Sequence, residues 1–219
     1  MTTITEKPIT DNGQALPELA TNPDESLLAV PIYAPKLKIF PLRVIGDTPL
    51  LVHAWSGKQK KMMLENQQGK ALKARARRNP KEEYEAAMYI IDPDLPEQER
   101  HGFPSSGFKK CSVEACRNVN GMPMTLAWGA YHVLNELTSI QFEKLVMRED
   151  MVALGGRSAD LRYRPEYHNW SAELLIRHNA DVISVEQVAN LFQIGGFANG
   201  VGDWRPQKKG THGMFHVAT

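Results

Sequence analysis

The segment that begins at Trp170 is the feature that most limits how this chain can fold. In WSAELLIRH, apolar residues alternate with polar ones from Trp170 to Ile176, and a period of two predicts a strand with one buried face. In SVEQVANLFQIGG, Ser184 and Gln187 have the spacing of a capping box, and the closing glycines predict the end of the helix. GMFHVA then predicts a final strand. The chain must therefore place a helix between two strands of one sheet.

Earlier segments predict the remaining elements of an α+β domain. KLKIFPLRVIGDTPLLV is typical of a strand, a turn and a short extension, and GFPSSGFKKCSVEACRNV of a helix. MPMTLAWGAYHVL predicts a strand ending near Leu134, and LVMREDMVAL a further strand or hairpin arm. Reduced to essentials, this is the βαββαβ order of a ferredoxin-like, RRM-like antiparallel sheet.

Composition divides the chain into an arm and a domain. Residues 1–35 are polar, acidic and rich in proline, which predicts a flexible N-terminal arm. Residues 36–219 form the predicted ferredoxin-like domain, a size that suits one hydrophobic core. Within it, residues 57–100 are rich in helix formers and are predicted to be a helical insertion.

Charge is distributed unevenly along this insertion, although the formal net charge of the chain is only +1. A basic run is followed by an acidic run from Glu82 to Glu99. The two runs are predicted either to pair as a solvated helical hairpin or to include a polyanion-binding segment, and these interpretations are not exclusive. The candidate nucleic-acid contacts of the insertion are Lys58, Lys60, Lys61, Lys70, Lys73, Arg75, Arg77 and Arg78.

A second candidate region is the glycine-rich loop GGFANGVGDWRPQKKGTHG. Glycine permits positive φ and close backbone approach, so such a loop can present N–H groups to phosphates. Trp204 offers a stacking face, and Arg205, Lys208 and Lys209 can neutralise phosphates. The alternative is a long connection with Trp204 in the core and the lysines solvated. The loop glycines are Gly195, Gly196, Gly200, Gly202, Gly210 and Gly213.

A third candidate region is GGRSADLRYRPEYHNW. In a strand, Arg162 and Arg164 would project from one face as a basic stripe while Leu161 and Tyr163 pack on the other. The alternative is an edge strand whose arginines pair with nearby acids, namely Glu149, Asp150, Asp160 and Glu166.

These elements resemble a known superfamily. A ferredoxin-like domain whose glycine-rich loop lies between its second helix and last strand resembles the RAMP superfamily of CRISPR proteins, notably the backbone subunits that polymerise along guide RNA. The segments TPLLVHAWSGKQKKMML, MREDMVALGGRSADLRYRPEY and GVGDWRP also resemble uncharacterised proteins of tailed phages. The catalytic histidine of some RAMP processing members has no assignable counterpart here.

Other function classes find little support. The histidines form no zinc spacing, and Walker A and Gly-x-Ser-x-Gly motifs are absent, so no metal, no cofactor and no catalytic residue are predicted. Cys111 and Cys116 are spaced too far apart on a helix for a disulfide. With no recognisable signal peptide or membrane span, a cytoplasmic location is expected.

The sequence therefore predicts a non-catalytic, phage-type protein that binds single-stranded RNA or DNA and assembles as a homo-oligomer along the strand. The first alternative is a structural or assembly protein of a virion. The second is an RNA-processing nuclease in which His168 or His212 performs acid-base catalysis.

Overall fold

The computed structural model describes residues 33–55, 57–69, 78–154 and 158–218. Pro35–Thr219 form one compact unit. The predicted arm, residues 1–35, lies almost wholly outside the described residues. Its flexibility, and the division of the chain at residue 36, stay predictions.

The described residues form an α+β fold with antiparallel sheets. The strands are β1 (Leu37–Gly46), β2 (Leu50–Leu51), β3 (Tyr89–Ile90), β4 (His101–Pro104), β5 (Tyr131–Val133), β6 (Leu137–Gln141), β7 (Lys144–Leu154), β8 (Ser158–His168), β9 (Ser171–Asn179) and β10 (Phe215–Val217). The helices are α1 (Gly57–Gln67), α2 (Pro80–Ala86), α3 (Ser105–Glu114), α4 (Met124–Ala130) and α5 (Val185–Ala198), with short 3-10 turns at Ala115–Asn118 and Pro206–Lys208.

A seven-stranded sheet forms the centre of the molecule. Its order is β10-β1-β9-β6-β4-β3, with β5 also paired to β9. Strands β5 and β6 lie along the same side of β9, where Val133 pairs with Ile176 and Ile140 with Ala172. The chain between them carries Asn135 with φ +68°, so β5 and β6 follow one course interrupted by a bulge.

Strands β7 and β8, which lie between β6 and β9 in the sequence, form a long hairpin. Every residue from Lys144 to Leu154 pairs with a residue of β8. Strand β2 pairs with the opposite edge of β8, through Leu50 and Leu51, to complete a three-stranded sheet. Because β2 follows β1 closely, the base of the hairpin is tied to the central sheet.

The core lies between the seven-stranded sheet and helices α3 and α5. Alternating residues of β9 are buried as predicted, and Trp170 beside them is almost fully buried. The indole of Trp170 donates a hydrogen bond to the Thr48 carbonyl oxygen at 2.8 Å. Its ring packs on Phe108 of α3 and Phe215 of β10. One buried aromatic cluster therefore joins helix α3 to the last strand, β10, and the indole hydrogen bond joins it to the turn after the first strand, β1.

Most of the local predictions are confirmed. The capping box of α5 is present, with Ser184 and Gln187 exchanging hydrogen bonds of 2.9 and 3.1 Å. Cys111 and Cys116 are free and buried. The predicted helical insertion, 57–100, contains α1 and α2, and it also contains β3, which pairs with β4.

The prediction of a strand throughout MPMTLAWGAYHVL is wrong in its first half. Met124–Ala130 is α4, and only the following β5 is extended. Ala127 and Ala130, three residues apart, are its buried residues, which is a helical period. The carbonyls of Ala127 and Tyr131 accept hydrogen bonds from the buried ammonium of Lys109. Burial lowers the pKa of Lys109 to about 7.

The prediction that Gly195 and Gly196 end the helix and open the glycine-rich loop is also wrong. Both lie inside α5, which continues to Ala198. A Cβ on Gly195 would lie 2.7 Å from the Cys111 carbonyl oxygen, and one on Gly196 would lie 2.1 Å from that of Phe215. These glycines allow α5 to pack directly on the backbones of α3 and β10.

This packing predicts opposite effects for two helical Gly→Ala substitutions. Gly196→Ala should lower the free energy of unfolding by about 1–3 kcal/mol, since the methyl group has no space. Gly129→Ala in α4 is the matched control, because its Cβ would have no neighbour within 4 Å. There the gain in helix propensity should stabilise the protein by up to about 1 kcal/mol. Urea unfolding of both variants measures the difference, and equal shifts would contradict the close-packing account.

Candidate functional site

The glycine-rich loop that joins α5 to β10 is held tightly against the rest of the domain. Gly200, Gly202 and Gly213 have φ values of +64°, +78° and +67°, a region that side-chain-bearing residues rarely adopt. The Gly213 amide donates to the Pro49 carbonyl oxygen at 2.8 Å. The side-chain amide of Asn199 donates to the Cys111 carbonyl oxygen at 3.0 Å. The loop is therefore fixed both to the turn after β1 and to α3.

A series of side-chain hydrogen bonds orients Arg205, the first basic residue of this loop. The Arg205 guanidinium donates to the Gly202 carbonyl oxygen at 2.9 Å and to the side-chain oxygen of Gln207. The Gln207 amide in turn donates to the Glu114 carboxylate of α3. Arg205 is thus held in place by hydrogen bonds to neutral acceptors, with no carboxylate within bonding distance among the described residues.

A cavity of about 210 Å³ lies between this loop and the first turns of α3. Lys110 and Arg205 bring positive charge to its wall, and Tyr89 and Phe103 supply aromatic surface. Glu114 and Asp203 are also lining residues. The cavity is therefore amphiphilic, with both hydrogen-bond donors and acceptors around an aromatic wall.

His53 contributes a neutral imidazole to the cavity. Burial lowers its pKa, and the nearby Arg162 and Arg164 lower it further against the opposing effect of Asp203. The Nδ1 atom of His53 is buried and has no hydrogen-bond partner among the described residues.

Cys111 is the thiol that lines the cavity. Burial raises its pKa, and thiolates rather than thiols are nucleophiles. Cys111 therefore serves as a packing residue in this wall. Among the described residues, no group of three or more His, Cys, Asp or Glu side chains is placed to hold a metal ion.

Beside the loop, the base of the β7–β8 hairpin contains a buried charge network. Arg164 donates to Asp150 at 2.7 Å and to Asp203 of the loop at 2.8 Å. Arg148 donates to Asp150 at 2.9 Å and to Glu166 at 3.0 Å. Burial would raise the pKa of Asp150, but the hydrogen bonds from the two arginines outweigh it and hold the pKa below its ordinary value.

Trp204 covers this network from the loop side. Its ring centre lies 5.1 Å from the guanidinium carbon of Arg148 and 5.8 Å from that of Arg164, which is within cation–π range. Its φ is +53°, an unusual conformation for a bulky residue. The side chain is nonetheless 43% exposed, so the ring is neither buried in the core nor freely solvated.

The predicted basic stripe of Arg162 and Arg164 is wrong for one of its two members. Arg164 is only 2% exposed, because its guanidinium is paired with Asp150 and Asp203. Arg162 is half-buried. Leu161, predicted to pack on the opposite face, is exposed. Arg164 therefore organises the hairpin base and is removed from the candidate contacts.

Only part of the predicted basic run falls within the described structure. Arg78 forms ion pairs of 2.6 Å with both Glu83 and Asp160, so its charge is used within the protein. The backbones of Lys58, Lys60 and Lys61 lie in α1, but their side chains are outside the described part. Also outside the described residues are Lys70, Lys73, Arg75 and Arg77.

The structure instead groups the loop residues with side chains that the sequence did not single out. Trp204, Arg205, Lys208 and Lys209 follow one another around the loop, and both lysines are exposed. Lys110 joins them from α3 through the shared cavity. No local sequence pattern points to Lys110, because its proximity to the loop depends on how α3 packs on α5. We call Lys110, Trp204, Arg205, Lys208 and Lys209 the loop surface.

Comparison with known proteins gives remote likenesses. No family model matches this chain, and no curated protein matches it. The cryo-EM structure of the Type III-B Cmr-beta bound to cognate target RNA is similar with a TM-score of 0.49 and 11% identity, covering 84% of this chain and 60% of that chain. The crystal structure of Cmr6 from Pyrococcus furiosus has a TM-score of 0.42 and 8% identity, covering 84% and 99%.

This chain spans only 60% of the Cmr-beta chain it matches. Because both TM-scores are under 0.5, the likenesses assign neither a family nor a function. No described helix is long and apolar enough to cross a membrane.

The charge network predicts a large difference between two arginines of β8. Arg164→Met should lower the free energy of unfolding by about 1–3 kcal/mol, because Asp150 loses one of its two arginine partners and Asp203 loses its ion pair. Arg162→Met is the control, since Arg162 has no ion pair among the described residues, and it should change stability by no more than about 0.5 kcal/mol. Urea unfolding of both variants is the measurement, and a mild effect at Arg164 would contradict its structural role.

Proposed function

We propose that this protein binds single-stranded nucleic acid, without catalysis, through the loop surface. The observation that carries the proposal is the arrangement of cations around the cavity. Lys110, Lys208 and Lys209 are exposed and have no carboxylate partner among the described residues. In contrast, Arg78 and Arg164 are neutralised by internal ion pairs. The loop surface thus keeps positive charge available for a polyanion.

The loop also supplies the second element of single-strand binding, an accessible aromatic ring. The guanidinium groups of Arg148 and Arg164 and the ring of His212 lie against the Trp204 indole, while 43% of the side chain remains exposed. Stacking of an unpaired base on such a ring is tolerant of sequence. A duplex would offer the ring no free base face, so the pairing of an exposed indole with cations favours a single strand.

We further propose that the seven-stranded sheet is an expanded ferredoxin-like sheet. Its last strand β10 lies beside the first strand β1, and β1 lies beside β9. The far side of β9 carries β5 and β6, and α3 and α5 supply the two connecting helices. This is the βαββαβ arrangement if β3, β4 and the β7–β8 hairpin are additions. The loop surface would then lie at the end of the sheet where α5 connects to β10.

Assembly of repeated subunits along the strand and a role in a phage remain part of the proposal. Assembly is motivated by the acidic segments of the sequence, which could dock on a neighbour's basic segment. The phage role is motivated by the resemblance to tailed-phage proteins. Sedimentation with and without a long oligonucleotide tests assembly, and a monomer under both conditions would contradict it.

A subunit of a virion is the second candidate. The face of the central sheet opposite the helices exposes Ile39, at 56%, together with Leu37 and Leu175, and exposed apolar patches often mark protein contacts. An apolar subunit interface would be nearly indifferent to salt, whereas phosphate neutralisation is not.

Salt dependence therefore gives the primary test. The triple variant Lys110→Ala, Lys208→Ala, Lys209→Ala should weaken binding to a labelled 30-mer and reduce the log-log salt slope by about 2, since each lost single-strand phosphate contact removes about 0.7. Lys38→Ala is the control and should leave the slope unchanged. Lys38 lies near the start of β1, whereas the glycine-rich loop contacts the turn after the end of β1. Anisotropy at several salt concentrations measures both. Absence of binding by the native protein at low salt would overturn the proposed function.

Two similarly exposed tryptophans test the stacking platform. Trp204→Ala should weaken binding by about 1–3 kcal/mol, with little change in salt slope, because stacking is not an ionic interaction. Trp128 of α4 is 44% exposed, and Trp128→Ala should leave binding unchanged. Anisotropy measures affinity, and far-UV circular dichroism checks that both variants are folded. Equal effects of the two substitutions would remove Trp204 from the site.

A further inference from the structure

We propose that the cavity beside the glycine-rich loop accepts one unstacked guanine base from the bound strand. This inference rests on the proposed function and adds a base preference to it. The cavity would recognise the base at one position of the strand, while the surrounding cations bind the phosphates of the strand irrespective of its sequence.

The size of the cavity favours a base over a larger group. Its volume is about 210 Å³, whereas pockets for drug-sized ligands are roughly 300–1,000 Å³. Tyr89 and Phe103 provide aromatic wall, which suits the flat face of a base splayed out of a single strand. A planar heterocycle therefore matches both the volume and the lining.

The charges in the lining argue against a phosphate inside the cavity. Glu114 and Asp203 are both lining residues, and their carboxylates would repel a phosphate oxygen. Asp203 uses Oδ2 for Arg164, and Glu114 uses Oε2 for Gln207. The other oxygen of each carboxylate has no partner among the described residues. These acceptors match N–H donors, which bases possess and phosphodiesters lack.

Guanine is the base whose two edges fit this lining. It presents N–H donors on one edge and the acceptors O6 and N7 on the other. The carboxylate oxygens of Glu114 and Asp203 can accept from the first edge. Lys110, and the Arg205 N–H groups that remain after its internal hydrogen bonds, can donate to the second. Cytosine and adenine offer no pair of adjacent ring and exocyclic N–H donors for a carboxylate.

The test uses the full chain and labelled 12-mers of oligo-dT that carry one central dG, dA or dC, or no substitution, and the same set in oligo-U. In at least one backbone, a single guanine should raise affinity over the homopolymer by roughly 5- to 150-fold, the range of one good bidentate base contact. Adenine and cytosine should give no comparable gain. Anisotropy at one fixed salt concentration measures all oligonucleotides.

Variants assign the preference to the cavity. Glu114→Gln keeps the shape of the side chain and should abolish the guanine preference. Because Glu114 also holds Gln207, which orients Arg205, the preference is measured as the ratio of guanine affinity to homopolymer affinity of the same variant. Glu173→Gln, an exposed carboxylate on β9, is the control and should retain the preference. If Glu114→Gln does not fold, Tyr89→Leu replaces it, with the same expected loss of preference.

The outcomes separate this inference from the proposed function. Salt-sensitive binding that is equal for all four oligonucleotides, or that favours adenine or cytosine, would overturn the guanine pocket and leave the proposed function standing. A guanine preference that survives loss of the cavity side chains would also overturn it. No binding to any oligonucleotide would overturn both.

Discussion

The close approach of α5 to the backbones of α3 and β10 is the constraint on which the rest of the structure depends. Gly195 and Gly196 permit it, since a side chain at either position would collide with a carbonyl oxygen. The contact sets where α5 ends, and so where the glycine-rich loop begins. It also brings Cys111 within hydrogen-bonding distance of Asn199. The position of the cavity is therefore a consequence of how closely two helices pack.

Buried charge supports the site from the other side. Arg164 joins Asp150 of the hairpin to Asp203 of the loop, so the two segments are held in one orientation. Such a network contributes little net stability over apolar packing, but it is costly to break. The network instead positions two residues of the site, because it fixes Asp203 at the cavity wall and places two guanidinium groups against Trp204.

Features set by neighbours in sequence could be predicted, and features set by distant contacts could not. The alternation of β9 and the capping box of α5 need only nearby residues, and both are present. The sequence predicts a helix stop at Gly195 and Gly196, because their packing partners, Cys111 and Phe215, are remote in the chain. The sequence leaves Arg164 open as a surface cation or as a partner of a nearby acid, and the pair with Asp150 confirms the second interpretation. Nothing local indicates its other partner, Asp203.

The candidate site shows the same division. The loop chemistry of Trp204, Arg205, Lys208 and Lys209 was visible in the sequence, because glycine, aromatic and basic residues are adjacent there. Lys110, Glu114 and His53 were missed as its companions, since three separate segments converge on one cavity. The α4 segment was misread because a short apolar run fits a strand or a helix equally well until its buried residues are known.

The strand lengths at the sheet margins have a consequence for self-association. Among the described strands, the central sheet ends in β3 and β10, of two and three residues. Margins this short offer few unpaired backbone groups to another chain. The three-stranded sheet instead ends in β7, which is eleven residues long and exposes Met147 and Met151. Its charged residues, including Lys144 and Glu149, interrupt that apolar surface and act as gatekeepers against edge-to-edge aggregation.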